Sequence, residues 1–267
     1  MEAALEYDYV PRNPAAGRRR RLKADRPKPV YLDSAAHIAA MLAAASALDA
    51  APDAQTSGRR PVIAVMILAG LRAHEIEDLR WRHVNLADGR ITVGSSKTDA
   101  GIREVDLLPL LRDELAAHKA AGARSKPNDL VFSTRTGAPR DRYNLRQRVV
   151  LPVAREAAAR LDERAEQGDD VQPLPVGISP HKLRHTFASV LVALGNDPAY
   201  VMGQLGHTDP AFTLRIYSHM MRRDAGERDR LRALVEGRDW ALSGTGGAES
   251  ASDAPSTEAS RTTKPPR

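Results

Sequence analysis

Apolar side chains recur at three- and four-residue intervals along most of the chain, the spacing that places them on one face of an α-helix. This pattern predicts helices over residues 32–48, 61–68, 73–81, 108–121, 145–166 and 180–238, the last with breaks after Gly195 and Gly206. Asp33 or Ser34 can cap the first helix, and Pro61 suits the first turn of the second. Residues 145–166 are expected to form one helix, and Pro152 marks the position where it can be interrupted.

A β-hairpin separates two of these helices. Residues 90–93 and 102–105 alternate apolar and polar side chains, as half-buried strands do, and residues 95–101 between them are rich in turn formers. Lys97 lies near the tip of this hairpin. A further short strand is predicted at 130–133. The fold class is therefore expected to be mainly α with a small antiparallel β-sheet.

Composition narrows the classes of function. The 267 residues include no cysteine, which excludes disulfides, thiolate metal sites and cysteine nucleophiles. No apolar run is long enough to span a membrane, and the N-terminus lacks the pattern of a secretory signal. We therefore expect a protein that acts in the cytoplasm without a membrane.

The net charge of +6 favours a polyanionic partner, because lysine and arginine release condensed counterions when they bind phosphate. Charge alone does not decide the matter, since an arginine-rich composition makes many proteins basic. The run of Arg18, Arg19, Arg20 and Arg21 is typical of a solvated linker, and it can also contact the phosphates of a polyanionic partner.

Four segments hold polar residues that helix packing does not explain together: GLRAHEIEDLRW (70–81), SSKTDAGIREV (95–105), HKLRHTFAS (181–189) and LGHTDPAFTLRIY (205–217). In order, spacing and setting they resemble the signature motifs of the tyrosine recombinases of the phage-integrase family. The resemblance covers roughly residues 32–225. Several separated motifs coincide, so it is specific.

The resemblance implies a residue for each chemical role in DNA strand exchange. Tyr217 is the expected nucleophile, Lys97 the general acid and His181 the general acid and base. Three further residues are expected to bind the phosphate: Arg72, Arg184 and His207. Glu75 is expected to orient Arg72 by an ion pair, His185 to support the site from the core, and Lys182 to contact DNA beside the basic run 18–21.

The chemistry of phosphodiester transfer agrees with these roles. Charge accumulates on the nonbridging oxygens, and guanidinium groups can offset it without a metal. A tyrosine with a pKa near 10 needs a base or nearby cations to become a nucleophile, and the leaving 5′ oxygen needs a proton. His181 and Arg184, three positions apart, share one helix face. The resemblance implies neither ATP nor a divalent metal, so no cofactor is expected.

Simpler explanations remain open at single positions. Arg72 and Arg184 can be solvated surface residues, Tyr217 can belong to the core, and Arg103 can replace Lys97. His181 and His185 have the spacing of a zinc pair, with His207 as a third ligand. Lys182 argues against zinc, because a cation follows His181 where a zinc hydrolase has glutamate. No metal site is therefore expected.

The expected domain organisation has three parts. Residues 1–30 resemble the end of an upstream core-binding domain followed by a basic linker, residues 31–242 form the catalytic domain, and residues 243–267 are a disordered tail. Such relatives commonly carry a complete core-binding domain, so the chain is expected to be truncated. Two positions depart from the family pattern: Asp106 stands where proline is usual, and Ala73-His74 where a small hydroxyl residue is common.

The function implied by the resemblance is site-specific DNA recombination or integration. The implied partners are double-stranded DNA attachment sites, a homotetramer assembled on DNA, and DNA-bending accessory proteins. Two alternatives remain. A type IB topoisomerase shares the tyrosine, arginine and histidine chemistry, and a non-catalytic DNA-binding remnant would retain only the basic surface.

Overall fold

A computed structural model describes residues 31–52, 56–94, 102–206 and 225–237. The chain divides into two units between Val30 and Tyr31, and every described residue belongs to the second. The predicted hairpin tip at 95–101 and the predicted tail at 243–267 lie outside the described residues.

Helices dominate the described residues. Eight α-helices of six or more residues are present there: α1 (Ala35–Ala50), α2 (Arg59–Leu68), α3 (Ala73–Asp78), α4 (Pro109–Ala121), α5 (Leu151–Glu166), α6 (Pro180–Ala193), α7 (Pro198–Leu205) and α8 (Ala225–Val235). The sheet has three short strands: β1 (Val84–Asn85), β2 (Arg90–Val93) and β3 (Arg103–Asp106). This mainly α fold with a small antiparallel sheet confirms the predicted class.

Helix α2 forms the centre of the core. It is apolar on all sides, and each residue from Val62 to Leu68 is fully buried, as expected of a helix surrounded by other elements. Helices α1, α4 and α6 pack around it. The helix ends before Gly70, whose φ of +58° lies in the left-handed region. A Cβ at Gly70 would lie 2.5 Å from the Phe187 ring, so α6 approaches this turn closely.

The sheet is antiparallel in the order β1-β2-β3. Ile91 pairs with Val84 on one side and Val105 on the other, and the three side chains are buried. This alternation confirms the predicted hairpin strands. Strand β3 also packs against α7, which brings the hairpin to the helix that ends at Gly206.

Two predictions near the first motif were wrong. The helix predicted for 73–81 ends at Asp78, because the backbone of Leu79 and Trp81 pairs with residues 129–131 instead of continuing the helix. The strand predicted at 130–133 forms only two isolated bridges, Arg80 with Leu130 and Ser133 with Pro139.

Pro152 does not interrupt its helix. A helical turn at Arg142–Asn144 continues as a π-helix over Leu145–Val150 and then as α5. Proline has no N–H to donate to a preceding carbonyl, and it lies where the π-helix changes to an α-helix. The change of helix type accommodates the missing donor without breaking the segment.

Helix α8 belongs to the same core. Leu231 and Val235 are buried, and the helix packs on α1, α4 and α6. The Glu227 carboxylate accepts a hydrogen bond of 2.6 Å from the Ala35 N–H, in the first turn of α1. Glu227, which follows the fourth motif in the sequence, therefore stabilises the start of the first helix. Within the described ranges, no helix is long and apolar enough to cross a membrane.

Truncation of Leu231 tests whether α8 is part of this core. We expect Leu231→Ala to lower the free energy of unfolding by about 2–5 kcal/mol, because it leaves a cavity where the side chain was buried. Arg232→Ala, on the exposed side of the same helix, should change it by less than about 0.5 kcal/mol. Urea unfolding followed by circular dichroism measures both. Equal small effects would show that α8 does not contribute to the core.

Candidate active site

Arg72 is held in place by the turn it begins. It caps α3, and the Glu75 carboxylate accepts hydrogen bonds from the Arg72 N–H at 2.7 Å and from Arg72 Nη1 at 2.9 Å. Arg72 Nη2 donates to the Gly206 carbonyl at 3.1 Å. The side chain remains 39% exposed. Arg72 is thus oriented by protein contacts while part of its guanidinium faces solvent.

Arg184 lies almost completely inside the protein. Helix α6 begins after Ser179, which caps it, and carries Arg184 at 2% exposure. Its two terminal nitrogens donate to the carbonyls of Gly70 and Leu205, so it joins the ends of α2 and α7. Burial and the positive charge of Arg72 lower the pKa of Arg184 to about 9, which leaves it charged at neutral pH.

Arg184 forms no ion pair with a carboxylate among the residues that the structure describes. Two of the five guanidinium N–H groups are engaged by its carbonyl contacts. A buried positive charge without a direct acidic partner favours an anion nearby, because the charge is otherwise costly in a low-dielectric interior.

Arg103, which the sequence suggested only as an alternative to Lys97, is a further member of this cluster. Its two terminal nitrogens bind the two Glu75 oxygens at 2.7 and 2.8 Å, and its Nε donates to the Gln204 carbonyl at 3.1 Å. With its guanidinium engaged and its side chain 12% exposed, Arg103 does not suit the mobile proton donor considered as an alternative to Lys97. The alternation along strand β3 could have predicted that Arg103 is largely buried, because Arg103 lies two positions before the buried Val105 and shares its face of the sheet.

Glu75 is the shared partner of Arg72 and Arg103. Burial by itself would raise the pKa of this carboxyl, but the hydrogen bonds and charges of the two arginines outweigh it and lower the pKa to about 2. The carboxylate is therefore ionised across the physiological range. This contact matches the ion pair expected between Glu75 and Arg72 and extends it to a second arginine.

His181 lies at the exposed start of α6, and its ring centroid is 4.2 Å from that of the buried His185. Partial burial and the charges of Arg184 and Arg72 lower the pKa of His181 below its ordinary value. The imidazole is consequently neutral near pH 7 and able to accept a proton. Within the described ranges, no group of three or more histidine and acidic side chains is arranged to hold a metal ion.

Lys182 has a different environment from its neighbours. It is half-buried, and its amino nitrogen lies 3.1 Å from where a Cβ on Gly177 would be. Its side chain thus lies against the loop before α6. The remaining expected site residues, Lys97, His207, Tyr217 and the run 18–21, lie outside the described residues.

Tyr200 does not suit the role of nucleophile. Its hydroxyl donates to the Asp106 carboxylate at 2.7 Å. Burial and this carboxylate raise the pKa of Tyr200, so its hydroxyl keeps its proton. Tyr200 is therefore not an alternative to Tyr217, the nucleophile expected from the sequence.

The model of the phage integrase family matches residues 35–223. The chain belongs to the phage integrase family. The match includes the described cluster of Arg72, Glu75, His181 and Arg184, and it extends over the positions of Lys97, His207 and Tyr217.

Characterised relatives are tyrosine recombinases. XerC of Lactobacillus delbrueckii subsp. bulgaricus is 26% identical over 168 residues, which cover 62% of this chain and 51% of that protein. XerD of Pseudomonas aeruginosa is 28% identical over 166 residues, which cover 61% of this chain and 50% of that protein. The chain therefore spans about half the length of the curated relatives it matches.

Solved structures share the fold. The XerA recombinase superimposes with a TM-score of 0.54 at 24% identity, over 77% of this chain and 64% of that one. The integrase of transposon Tn1549 superimposes with a TM-score of 0.58 at 18% identity, over 87% of this chain and 75% of that one. The helical arrangement around the arginine cluster is that of a phage-integrase catalytic domain.

Substitution of Glu75 tests the electrostatics of the cluster. A carboxyl whose pKa is lower in the folded than in the unfolded protein stabilises the fold above the unfolded value, about 4.3, and loses this effect as the pH falls toward 2. We expect Glu75→Gln to be less stable than the wild type at pH 7, and the difference to narrow between about pH 4.3 and 2.

Unfolding free energies across this pH range measure the effect. Glu104→Gln is the matched control, because Glu104 forms an exposed ion pair with Arg90, the kind of pair that contributes only about 0–1 kcal/mol. A constant difference between wild type and Glu75→Gln down to pH 2 would contradict the assigned role.

Proposed function

We propose that the chain is the catalytic domain of a site-specific DNA recombinase or integrase, which cleaves and rejoins DNA through a 3′-phosphotyrosine at Tyr217. The main support is the meeting of Arg72 and Arg184 at the ends of α2 and α7, with Arg184 buried and without a carboxylate partner among the described residues. Such a site favours a phosphate group. The family match and the recombinase relatives agree with this function.

The proposed reaction begins with phosphate binding. Arg72, Arg184 and His207 donate hydrogen bonds to the nonbridging oxygens, where negative charge accumulates. The Tyr217 oxygen attacks phosphorus while His181 accepts its proton. The bond from phosphorus to the 5′ oxygen then breaks, and Lys97 donates a proton to that oxygen. The phosphotyrosine bond retains the energy for rejoining, so neither ATP nor a metal takes part.

The proposed partner is double-stranded DNA carrying attachment sites. The Tn1549 integrase was solved with transposon right-end DNA, and XerH recombinase with its difH substrate, which supports DNA as the partner of this related chain. We assign Lys182 and residues 18–21 to contacts with the DNA backbone. We also propose that the protein assembles as a homotetramer on DNA, that DNA-bending proteins assist this assembly, and that the protein acts in the cytoplasm.

We assign residues 31–242 to the catalytic domain, residues 1–30 to the end of an upstream core-binding domain with a basic linker, and residues 243–267 to a tail. The family match over 35–223 and the division of the chain between residues 30 and 31 support its bounds. The position of α8 in the core supports an extension beyond residue 223.

Covalent trapping tests the proposed reaction. A nicked DNA substrate from which the cleaved strand is lost prevents rejoining, so a 3′-phosphotyrosine adduct should accumulate in the presence of EDTA. We expect a denaturant-resistant adduct with the wild type and none with Tyr217→Phe, which lacks the attacking oxygen. Denaturing gel electrophoresis measures it. Binding without an adduct, including after fusion of an upstream core-binding domain, would identify a non-catalytic DNA-binding remnant.

The pH dependence of cleavage tests the assignment of His181. Because its pKa is lowered, His181 is neutral at pH 7, and its protonation below its ordinary value of about 6.5 removes the base. We expect the single-turnover cleavage rate to be constant near pH 7 and to fall below about pH 6.5. His181→Gln should lose this acid limb, whereas His83→Gln, outside the cluster, should keep it. An identical acid limb in His181→Gln would contradict the assignment.

A further inference from the structure

Asp106 joins the end of strand β3 to helix α7. Its carboxylate accepts hydrogen bonds from the Tyr200 hydroxyl at 2.7 Å and from Gln204 Nε2 at 3.1 Å. Its backbone N–H donates to Gln204 Oε1 at 2.8 Å. A proline at position 106 could form none of these three bonds, because it has neither the carboxylate nor the N–H. The contact therefore depends on both the carboxylate and the backbone N–H of Asp106.

A second contact joins the same two elements near their active-site ends. Arg103 Nε donates to the Gln204 carbonyl, while its guanidinium binds Glu75. Gly206 ends α7 with a φ of +59°, and a Cβ there would lie 2.9 Å from Arg103 Cδ. Strand β3 is thus attached to α7 at both of its ends, with Arg103 close to the cluster and Asp106 farther along the strand.

The two joined elements lead to two expected catalytic residues. Strand β3 is the return strand of the hairpin that carries Lys97, and α7 ends at Gly206, immediately before His207. A shift of β3 relative to α7 would therefore change the position of the proton donor relative to the phosphate-binding residues. Displacements of about 1 Å can cost up to about a hundredfold in rate.

We propose that Asp106 is a positioning residue, which through Tyr200 and Gln204 holds strand β3, the strand after Lys97 in the sequence, in place against α7, which ends just before His207 in the sequence. This inference rests on the proposed function. It assigns to Asp106 no contact with DNA. Its effect is on the protonation of the leaving 5′ oxygen, which depends on the position of the hairpin.

The strength of the contact is suited to this role. Gln204 is 8% exposed, and its side-chain amide accepts from the Asp106 N–H and donates to the Asp106 carboxylate. These two bonds fix the orientation of the Gln204 side chain relative to Asp106. Arg90, on the neighbouring strand, lies 3.6 Å from the other carboxylate oxygen. Asp106 is therefore connected to both the sheet and the helix, so its loss should loosen the hairpin without removing an apolar part of the core.

A substrate with a sulfur leaving atom separates this role from a general loss of structure. Replacing the bridging 5′ oxygen at the cleaved phosphate by sulfur gives a thiolate leaving group, which, with a thiol pKa of about 8.5, needs no proton donor. Single-turnover cleavage of the oxygen and sulfur substrates is compared for the wild type, Asp106→Ala, Asp106→Asn and Tyr200→Phe. Glu104→Gln is the control, an exposed position on the same strand that pairs with Arg90 across the sheet.

We expect Asp106→Ala to cleave the oxygen substrate about tenfold more slowly than the wild type, and the sulfur substrate within about twofold of it. Asp106→Asn keeps an acceptor for Tyr200 and should recover most of the rate on the oxygen substrate. Tyr200→Phe should show a smaller deficit with the same recovery on sulfur. Glu104→Gln should match the wild type on both.

An equal deficit on both substrates, or none on either, would overturn the proposal. If Asp106→Ala does not fold, as judged by thermal unfolding, Tyr200→Phe decides the question, because it removes one hydroxyl and leaves the ring in place. Failure of the proposed function is distinguishable: the wild type would then form no adduct with either substrate, and Tyr217→Phe would be indistinguishable from it.

Discussion

The buried carboxylate of Glu75, held between Arg72 and Arg103, is the interaction on which the site depends. A carboxylate removed from water is costly unless its oxygens are paired, and here both arginines and a backbone N–H provide the partners. The same bonds join α3 to β3, and Arg103 extends the connection to α7. One ion pair network therefore sets the relative positions of three elements that lead to the expected catalytic residues.

The charge balance of this network determines its chemistry. Arg72, Arg103 and Arg184 lie near one another with Glu75 as the carboxylate that pairs with two of them, so the described cluster keeps a positive excess. That excess favours the approach of a phosphate group. Together with partial burial, which is the larger cause, it lowers the pKa of His181 below its ordinary value, so the imidazole is a neutral base at pH 7. The arginines thus support both phosphate binding and proton acceptance in the proposed reaction.

Two glycines let the backbone come close to neighbouring side chains, and the arginine cluster depends on this. Gly70 and Gly206 both adopt a positive φ, and both contribute carbonyls that accept from an arginine. The space next to each is occupied, by Phe187 at Gly70 and by Arg103 at Gly206, so a side chain at either position would push these groups apart. The ends of α2 and α7 can therefore meet around Arg184.

The sequence by itself predicted the helices, the hairpin strands and the pairing of Glu75 with Arg72, because these follow from local periodicity and from residues three positions apart. The family came from the resemblance of four separated motifs to those of the tyrosine recombinases. The end of α3 and the bridge between Arg80 and Leu130 were not predictable in this way, because both depend on backbone pairing with distant residues. The π-helix before Pro152 was not predicted either. Only the tertiary structure placed Arg103 on Glu75, buried Arg184 between two carbonyls and joined Asp106 to Tyr200. The contacts of Arg103 with Glu75, Arg184 with Gly70 and Tyr200 with Asp106 link positions 28, 114 and 94 residues apart along the chain. The local sequence does not determine which distant donor reaches a buried acceptor.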